Sequence, residues 1–404
     1  MTTPSKRVLF IAPQPFFAWR GTPIRIGFDV QALAELGYEV DLLTLPLGAD
    51  RAIPGVRLLR VANPFRVRSV PIGPSGHKAF FDLLLGVRAL ALAARRRYAV
   101  IHAVEEAGAF SWIVARLTGA RAVFEKHSDP ASHRAGRLKN AVLAAYRRAE
   151  RIAIRRADAV IATGESLRDQ ARAASPRTPV HHIFDIPSSL AEVDPARACA
   201  IRAELAPDPA SRVALYAGSF AVYQGIDLLF EAMASVLARE PRARFAVIGG
   251  SAEEIARRKA WLAERGVADR TVFIGTVPPD ELPHYLAAAD VLLSPRIAGA
   301  NTPLKLLDYL KAGRAIAATD NAANRLILDA TTARLTAPEP GAFADAVAGL
   351  LADDAARARM GECGKRLIAG RYNFGEFKRR LAACYDAVLR PPPRAAGPAS
   401  APRR

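Results

Sequence analysis

Two charged side chains on one short segment have the chemistry to bind a phosphate with a sugar beside it. Residues 301–318 read NTPLKLLDYLKAGRAIAA, with Lys305 close to the start of an expected helix and Asp308 three positions later. Asn301 or Thr302 suits the helix cap, so free backbone N–H groups and the lysine ammonium would form one positive site. Asp308 shares a helix face with Lys305 and could accept hydrogen bonds from hydroxyls. The structural alternative is a capped helix with a surface Lys–Asp pair.

A second segment has the form of a strand, a glycine loop and a helix. Residues 216–233 read YAGSFAVYQGIDLLFEAM, with Gly218 and Ser219 after the strand and a helix expected from about Gly225. Gly218 lets the backbone approach a ligand closely. The chain has neither a GxGxxG motif nor a Walker P-loop, so the nicotinamide-cofactor and P-loop interpretations lose their main support. Arg296, after a later strand, is interpreted as a salt-bridged structural residue.

Three acid–base candidates follow strands in the first half of the chain. His127 ends the stretch VFEKH, and Glu105 and Glu106 follow the strand-like run AVIHAV. Loops at the carboxyl ends of parallel strands are where such folds bind ligands. His127 is therefore a candidate for contact with a substrate, and the two glutamates could orient or deprotonate an acceptor hydroxyl. A structural role is the alternative for each.

The elements that must position these residues alternate regularly. Apolar runs such as RVLFIA, EVDLLTL and AVIAT are separated by helix-period segments, and the alternation restarts after a proline- and serine-rich linker at 184–196. Repeated strand–helix alternation predicts parallel strands with crossover helices, hence two doubly wound sheets in tandem that face a cleft. The final segment, 391–404, has no apolar pattern and is expected to be disordered.

Composition limits the alternatives. The three cysteines form no CxxC pair, so neither a disulfide framework nor a zinc site is expected, and a cytoplasmic location fits best. No secretion signal or membrane span is expected. The formal net charge of +18 is compatible with an anionic partner or with a composition biased towards arginine. Residues 131–156 hold eight basic residues, and the apolar residues of this segment repeat at helical spacing with the basic ones largely on other faces. Such a segment suits either an anionic membrane surface or an ordinary solvated face.

Several motifs together resemble one known family. GSF…YQG, RFAVIGG, VFIGTVPPDELPHYLAAADVLLSPR, NTPLKLLDYLKAGRAIAATD and RYNF occur in that order, and they resemble the C-terminal half of the family-4 glycosyltransferases of GT-B fold. GTPIRIGFDVQALAELGYEVDLLT resembles the family's first loop and helix, and VFEKHSD resembles its histidine-bearing strand. The resemblance implies a domain at 1–190 that binds the acceptor, a nucleotide-sugar domain at 191–375, and a helix at 376–390 that packs back on the first domain.

The resemblance also implies roles for individual residues. Lys305 and His127 would be catalytic, the first by holding the donor diphosphate and the second by facing the transferred sugar and the acceptor. Asp308 would hold the ribose, and Glu105 and Glu106 are acceptor-side candidates. The expected donor-binding residues are Gly21, Thr22, Gly218, Ser219, Asn301, Thr302, Lys305 and Asp308.

The chain departs from the family's commonest pattern at its phosphate clamp. Ser219–Phe220 and Gln224 stand where an arginine and a lysine are common, and Ala300 and Asp308 stand where two glutamates are common. Lys305 is available to replace the missing basic clamp. Loss of catalytic activity is the alternative.

The implied activity is a retaining, metal-independent transfer without a cofactor. A sugar would move from a nucleotide-diphosphate donor to a hydroxyl of a glycan, a lipid-linked or a small-molecule acceptor, in cell-envelope polysaccharide synthesis for example. A nucleotide-sugar epimerase, or an inactive basic protein that binds membrane or nucleic acid, is the alternative. We expect no nucleic-acid partner, and a cytoplasmic protein with peripheral contact to the inner membrane face through 131–156. The sequence leaves the sugar, nucleotide, acceptor, linkage and oligomeric state open.

Overall fold

A computed structural model of the protein describes most of the chain as two units. Predictions were made for Asn301, the tail 391–404 and the basic segment 131–156, but Asn301, the tail and residues 131–136 lie outside the described residues. The described residues are 6–18, 21–70, 75–129, 137–299 and 302–390, with side chains of 137–142 excluded. Unit 1 comprises 6–18, 26–183 and 378–390, and unit 2 comprises 21–25 and 184–377.

Unit 1 is a parallel sheet of seven strands in the order β3-β2-β1-β4-β5-β6-β7. Its strands are β1 (Arg7–Ala12), β2 (Glu39–Thr44), β3 (Val56–Arg60), β4 (Val100–Val104), β5 (Arg121–Lys126), β6 (Ala159–Ala162) and β7 (Val180–His182). Its helices are α1 (Gly21–Glu35), of which residues 21–25 belong to unit 2, α2 (Gly76–Arg95), α3 (Gly108–Thr118), α4 (Arg137–Arg156) and α5 (Glu165–Ala174), with the last helix of the chain described below. Strand order reverses between β1 and β4, which is where doubly wound sheets bind ligands.

Unit 2 is a parallel sheet of six strands in the order β10-β9-β8-β11-β12-β13. Its strands are β8 (Arg212–Ala217), β9 (Ala243–Ile248), β10 (Thr271–Gly275), β11 (Val291–Ser294), β12 (Ala315–Thr319) and β13 (Ala333–Thr336). Its helices are α6 (Pro195–Leu205), α7 (Ile226–Arg239), α8 (Ala252–Ala263), α9 (Leu282–Ala288), α10 (Leu304–Ala312), α11 (Pro340–Ala352) and α12 (Asp354–Gly370). The reversal of strand order lies between β8 and β11.

The sheets form because their strands are apolar on both faces. Every residue of β4, β6, β11 and β12 is buried, which is the expected pattern for parallel strands covered by helices on both sides. The last helix, α13 (Phe374–Leu389), contributes its part from residue 378 onward to unit 1. There the Tyr385 ring lies 5.3 Å from that of Tyr38.

The doubly wound class expected from the sequence is confirmed, with local differences. Strands β7 and β13 were not expected, since they are only three and four residues long and mostly half-buried. Helix α10 begins at Leu304, so Pro303 is the cap residue rather than Asn301 or Thr302, and no side chain of the described residues forms a cap hydrogen bond. In the part of the chain that the structure describes, no helix is long and apolar enough to cross a membrane.

Candidate active site

Helix α10 is fixed to the strand ends of unit 2 by a buried tyrosine. The Tyr309 hydroxyl accepts from the Ala217 N–H at 2.9 Å and lies 3.2 Å from the Leu293 carbonyl, to which it donates. Ala217 ends β8, and Leu293 lies in β11. Tyr309 therefore holds the second turn of α10 at the point where strand order reverses.

The amine of Lys305 is enclosed in unit 2. The side chain as a whole is half-buried, yet its Nζ is shielded from solvent and has no hydrogen-bond partner among the described residues. Nζ lies 4.5 Å from the centre of the Tyr216 ring, a cation–π contact. Burial, followed by the positive charge of Arg296, lowers the pKa of Lys305 to about 7. An unpaired, destabilised ammonium is a preformed site for an anion.

Arg296 supplies a second cation to the same region. Its side chain is buried, its Nε donates to the Ala298 carbonyl at 2.8 Å, and its guanidinium lies 5.2 Å from the centre of the Tyr223 ring. The interpretation as a salt-bridged residue was wrong, because no carboxylate among the described residues pairs with it. Desolvation lowers the pKa of Arg296.

The glycine loop after β8 lies against this cationic pair. A Cβ on Gly218 would stand 3.6 Å from Lys305 Nζ. The Tyr216 hydroxyl donates to the Ser219 carbonyl at 2.7 Å and leaves the Ser219 side chain exposed. At Gly225, where φ is +69°, a Cβ would lie 1.8 Å from the Pro295 carbonyl oxygen. Only glycine fits there, so the loops that follow β8 and β11 meet closely.

The first loop of the sequence also contributes to unit 2. A Cβ on Gly21 would lie 2.9 Å from Cδ1 of Leu304, the first residue of α10. Thr22 follows in α1 and is half-buried. Thr302, two residues before α10, is half-buried as well. The structure thus brings Gly21, Gly218 and Lys305 around one helix end.

Asp308 has a partner that the sequence did not indicate. Its two carboxylate oxygens accept from the backbone N–H of Ser188 at 2.6 Å and from the Ser188 hydroxyl at 2.8 Å. Burial raises the pKa of Asp308 to about 6. Lys311 on the same helix donates to the carbonyls of Ser189 and Ala191 at 3.0 and 2.8 Å. Helix α10 therefore also anchors the start of the linker.

In unit 1, Glu105 organises the loop that follows β5. Its carboxylate oxygens accept from the backbone N–H of His127 and from the hydroxyl of Ser128, both at 3.2 Å. Glu105 itself has φ of +52°, which is unusual for a non-glycine residue. The structure thus brings two predicted residues, His127 and Glu105, into direct contact.

The His127 ring is directed towards the residue two positions before it. Its Nε2 lies 3.1 Å from Oε1 of Glu125, and its side chain is only 7% exposed. This is ion-pair distance, although the ring N–H is not aligned for a linear hydrogen bond. Glu125 is fully buried in β5.

Glu106, which follows β4, lies beside a charged pair of α2. The Lys78 amine lies 2.8 Å from Asp82 Oδ1 and 3.4 Å from Glu106 Oε2. Burial raises the pKa of Glu106 and of Asp82 despite the lysine charge, which lowers both. These carboxyls consequently keep protons at a higher pH than exposed ones do.

Lys126 was missed by sequence reasoning. Its amine, on a fully buried side chain, donates to the Ser128 carbonyl at 2.8 Å and to Glu150 Oε1 of α4 at 2.5 Å. Only nine of the 57 basic residues are lysines. Lys78, Lys126 and Lys305 all have enclosed amines. Lysine rarity could have drawn attention to Lys126, but it applies equally to exposed lysines such as Lys259 and Lys365.

A separate cavity of unit 2 has a volume of about 520 Å³ and includes none of the predicted residues. Its lining includes Arg202, Asp290 and Arg314. Arg202 pairs with Asp290 at 2.6 Å, and Asp290 directly precedes β11. The cavity therefore lies at the amino-terminal edge of the sheet, opposite to the edge that carries Lys305.

Two family models match the chain. One is described as glycosyl transferase 4-like domain and matches residues 21–183, and the other is described as glycosyl transferases group 1 and matches residues 211–353. Alpha-D-kanosaminyltransferase of Streptomyces kanamyceticus is 26% identical over 287 residues, covering 69% of this chain and 74% of the relative. The GDP-mannose-dependent alpha-(1-6)-phosphatidylinositol monomannoside mannosyltransferase of Mycolicibacterium smegmatis is 31% identical over 168 residues, covering 39% and 44%.

Solved structures share the fold over almost the whole chain. Sucrose-phosphate synthase from Thermosynechococcus elongatus has a TM-score of 0.73 at 21% identity, covering 94% of this chain and 98% of the other. HepE of Anabaena in complex with UDP-glucose has a TM-score of 0.70 at 16% identity, covering 94% and 99%.

Together, the two parallel-sheet units and these matches define a glycosyltransferase of GT-B fold. The site residues of unit 2 lie at the carboxyl edge of its sheet, where this class of fold binds ligands. The chain belongs to glycosyltransferase family 4. The alternatives of an epimerase or an inactive binding protein are not favoured.

Proposed function

We propose that the protein transfers a sugar from a nucleotide-diphosphate donor, with retention of anomeric configuration and without a metal ion or cofactor. The donor diphosphate would bind in unit 2 between the start of α10 and the Gly218–Ser219 loop. The observation that carries this proposal is the enclosed amine of Lys305, which has no hydrogen-bond partner among the described residues, with Arg296 as a second cation nearby. Binding of UDP and UDP-glucose by HepE, as its structures are described, supports the same donor class.

The chemistry requires such groups. Cleavage of a glycosyl–phosphate bond leaves an oxocarbenium-like sugar and a diphosphate, whose charge must be stabilised in the transition state. Lys305 and Arg296 would neutralise that charge from fixed positions, and the N–H groups at the start of α10 would add hydrogen bonds. Removing one preorganised donor of this kind typically lowers the rate by about 10²–10³-fold.

The remaining predicted residues have supporting roles in this proposal. Gly21 and Thr22 would lie near the diphosphate, since Gly21 contacts Leu304. Asp308 would bind a ribose hydroxyl through lone pairs that Ser188 leaves available, because each carboxylate oxygen accepts two hydrogen bonds. His127 would contact the transferred sugar, with Glu105 holding its loop and Glu106 near the acceptor.

The test is a panel of UDP-, GDP-, ADP- and TDP-sugars with purified protein, followed by NMR of the product anomer. We expect turnover of one donor class in EDTA, retention at the anomeric carbon, and a loss of about 10²–10³-fold in kcat for Lys305→Ala. Lys259→Ala, at an exposed lysine of α8, is the matched control and should leave kcat unchanged. Inversion, a requirement for metal, or full activity of Lys305→Ala would each reject part of the proposal.

The acceptor is proposed to be lipid-linked or glycan, with the protein resting on an anionic membrane through α4. The mannosyltransferase of M. smegmatis, whose name describes a phosphatidylinositol mannoside acceptor, supports the lipid-linked class. On α4 the exposed Ile152 lies among exposed arginines, a composition suited to anionic headgroups. These arginines are Arg147, Arg148, Arg151, Arg155 and Arg156.

Liposome co-sedimentation tests the membrane contact. Vesicles with anionic lipid should bind the protein at low salt, and neutralising Arg147, Arg148, Arg151 and Arg155 should abolish binding. A control variant neutralises four exposed arginines of unit 2 and lowers the net charge equally. The control positions are Arg257, Arg265, Arg270 and Arg359. Equal loss in both variants would mean that net charge alone, rather than α4, attracts the protein.

A further inference from the structure

A row of four buried side chains connects His127 to the last helix within unit 1. His127 Nε2 lies 3.1 Å from Glu125 Oε1, and the other oxygen, Oε2, lies 3.0 Å from His102 Nε2. His102 Nδ1 in turn lies 2.8 Å from the Tyr385 hydroxyl. His102, Glu125 and Tyr385 are fully buried. The row therefore lies inside the unit and ends at the predicted catalytic histidine.

The order of donors along this row follows from the tyrosine. Burial raises the pKa of Tyr385 well above its ordinary value, so the phenol keeps its proton. His102 Nδ1 lies within hydrogen-bond distance of that hydroxyl, and we take it as the acceptor of the phenol proton. His102 then carries its own proton on Nε2 and donates it to Glu125. A carboxylate oxygen only accepts hydrogen bonds, so Glu125 Oε1, 3.1 Å from His127 Nε2, favours a proton on that nitrogen as well. Nδ1 of His127 remains as the nitrogen with a lone pair.

We propose that Glu125, held by His102 and Tyr385, is a positioning residue that fixes the His127 ring so that Nδ1 accepts a hydrogen bond from a substrate hydroxyl. The present contact between His127 and Glu125 is off the hydrogen-bond axis. Such contacts between catalytic side chains are commonly loose without substrate and tighten in the complex. The choice of Nδ1 as the substrate-facing atom rests on the proposed transferase function. The tautomer of the His127 ring does not depend on that proposed function.

The position of Glu125 supports a functional origin. Its strand neighbours Val123 and Phe124 are apolar and buried, and the strand could be apolar throughout. A carboxylate in such a place costs several kcal/mol unless it is paired and hydrogen-bonded. The hydrogen bond with His102 offsets part of this cost. The ring 3.1 Å from the other oxygen is that of His127, the residue that the family resemblance marks as functional.

The first test reads the tautomer by ¹⁵N NMR of histidine-labelled protein, with His127 assigned by comparison with His127→Ala. We expect the neutral His127 ring to carry its proton on Nε2 in the wild type. Glu125→Gln should move the population towards Nδ1–H, because an amide can turn its NH₂ to one ring. Glu240→Gln, at a buried glutamate of unit 2 paired with Arg242, is the control and should leave the His127 signals unchanged.

The second test is a double-mutant cycle on kcat with the active donor. Glu125→Gln should lower kcat by roughly 10–100-fold, as loss of a partner that orients a ligand side chain does. In the His127→Ala background the same change should alter kcat by no more than about twofold, the usual tolerance for additive sites. A purely structural Glu125 would lower kcat equally in both backgrounds.

Each outcome decides the proposal. An Nδ1–H tautomer in the wild type, or a tautomer indifferent to Glu125→Gln, overturns it. If Glu125→Gln does not fold, Tyr385→Phe removes only the terminal hydroxyl and should still shift the His127 signals, and no shift overturns the proposal. If no donor is turned over, the proposed function fails, and the NMR measurement still decides the role of Glu125.

Discussion

The binding of a nucleoside diphosphate should weaken as pH rises from 7 to 8.5, because Lys305 loses its proton in this range. Burial and Arg296 place the pKa of the free lysine at about 7, and a bound diphosphate would raise it. Half of the amines are protonated at pH 7 and about 3% at pH 8.5, so affinity should fall about 15-fold, or about 1.6 kcal/mol. Diphosphate groups are already ionised there, since the last phosphate pKa lies near 6.

Isothermal titration calorimetry with the tightest-binding nucleotide measures this change. At pH 7 binding should take up about half a proton, seen as a dependence of the apparent enthalpy on the buffer. Lys305→Arg keeps its charge at every pH used and should flatten the profile. Lys259→Met, on the exposed face of α8, should retain the wild-type profile. A flat profile in the wild type, or an unchanged slope in Lys305→Arg, would refute the reasoning.

Three further predictions concern residues that stabilise unit 2. Each is tested by measuring the free energy of unfolding in urea. Gly266→Ala, at φ +67° with open space, should cost roughly 1–2 kcal/mol. Gly225→Ala should cost more and weaken nucleotide binding, because its Cβ would displace the Pro295 carbonyl; equal costs would contradict the close contact between these loops. Ser188→Ala should lower the free energy of unfolding by about 1.5–3 kcal/mol, the range for hydrogen bonds to a charged group, and should have little effect once Asp308 is alanine. Because burial raises the pKa of Asp308 from 3.8 to about 6, the folded state holds this proton more tightly than the unfolded state does. The free energy of unfolding of the wild type should therefore fall by about 2 kcal/mol relative to that of Asp308→Asn as pH rises from 4 to 6.5, and parallel pH profiles of the two proteins would exclude this.

The elements of the fold were accessible from sequence because their signals are local. A run such as VLLSP is apolar on both faces, which is what a strand covered by helices on both sides requires. The same principle explains the misses. Strands β7 and β13 are short and mostly half-buried, so their composition hardly differs from that of a loop.

The partners of the site residues were not accessible in this way. Asp308 was expected to bind a ribose hydroxyl. In the structure its carboxylate accepts hydrogen bonds from Ser188, 120 positions earlier in the chain. Arg296 was expected to have a carboxylate partner, and in the described structure a carbonyl and an aromatic ring take that place. Nothing in the local pattern around either residue encodes these contacts.

The sequence by itself determined the two-sheet class and the presence of a lysine near a helix start beside a glycine loop. Only the tertiary structure decided the state of that lysine, since its pKa depends on the atoms that enclose it. The same holds for His127, whose row of contacts ends at Tyr385, 283 positions beyond His102. Periodicity and helix caps are set by neighbours along the chain. Burial and charge pairing depend on residues that folding brings together from distant parts of it.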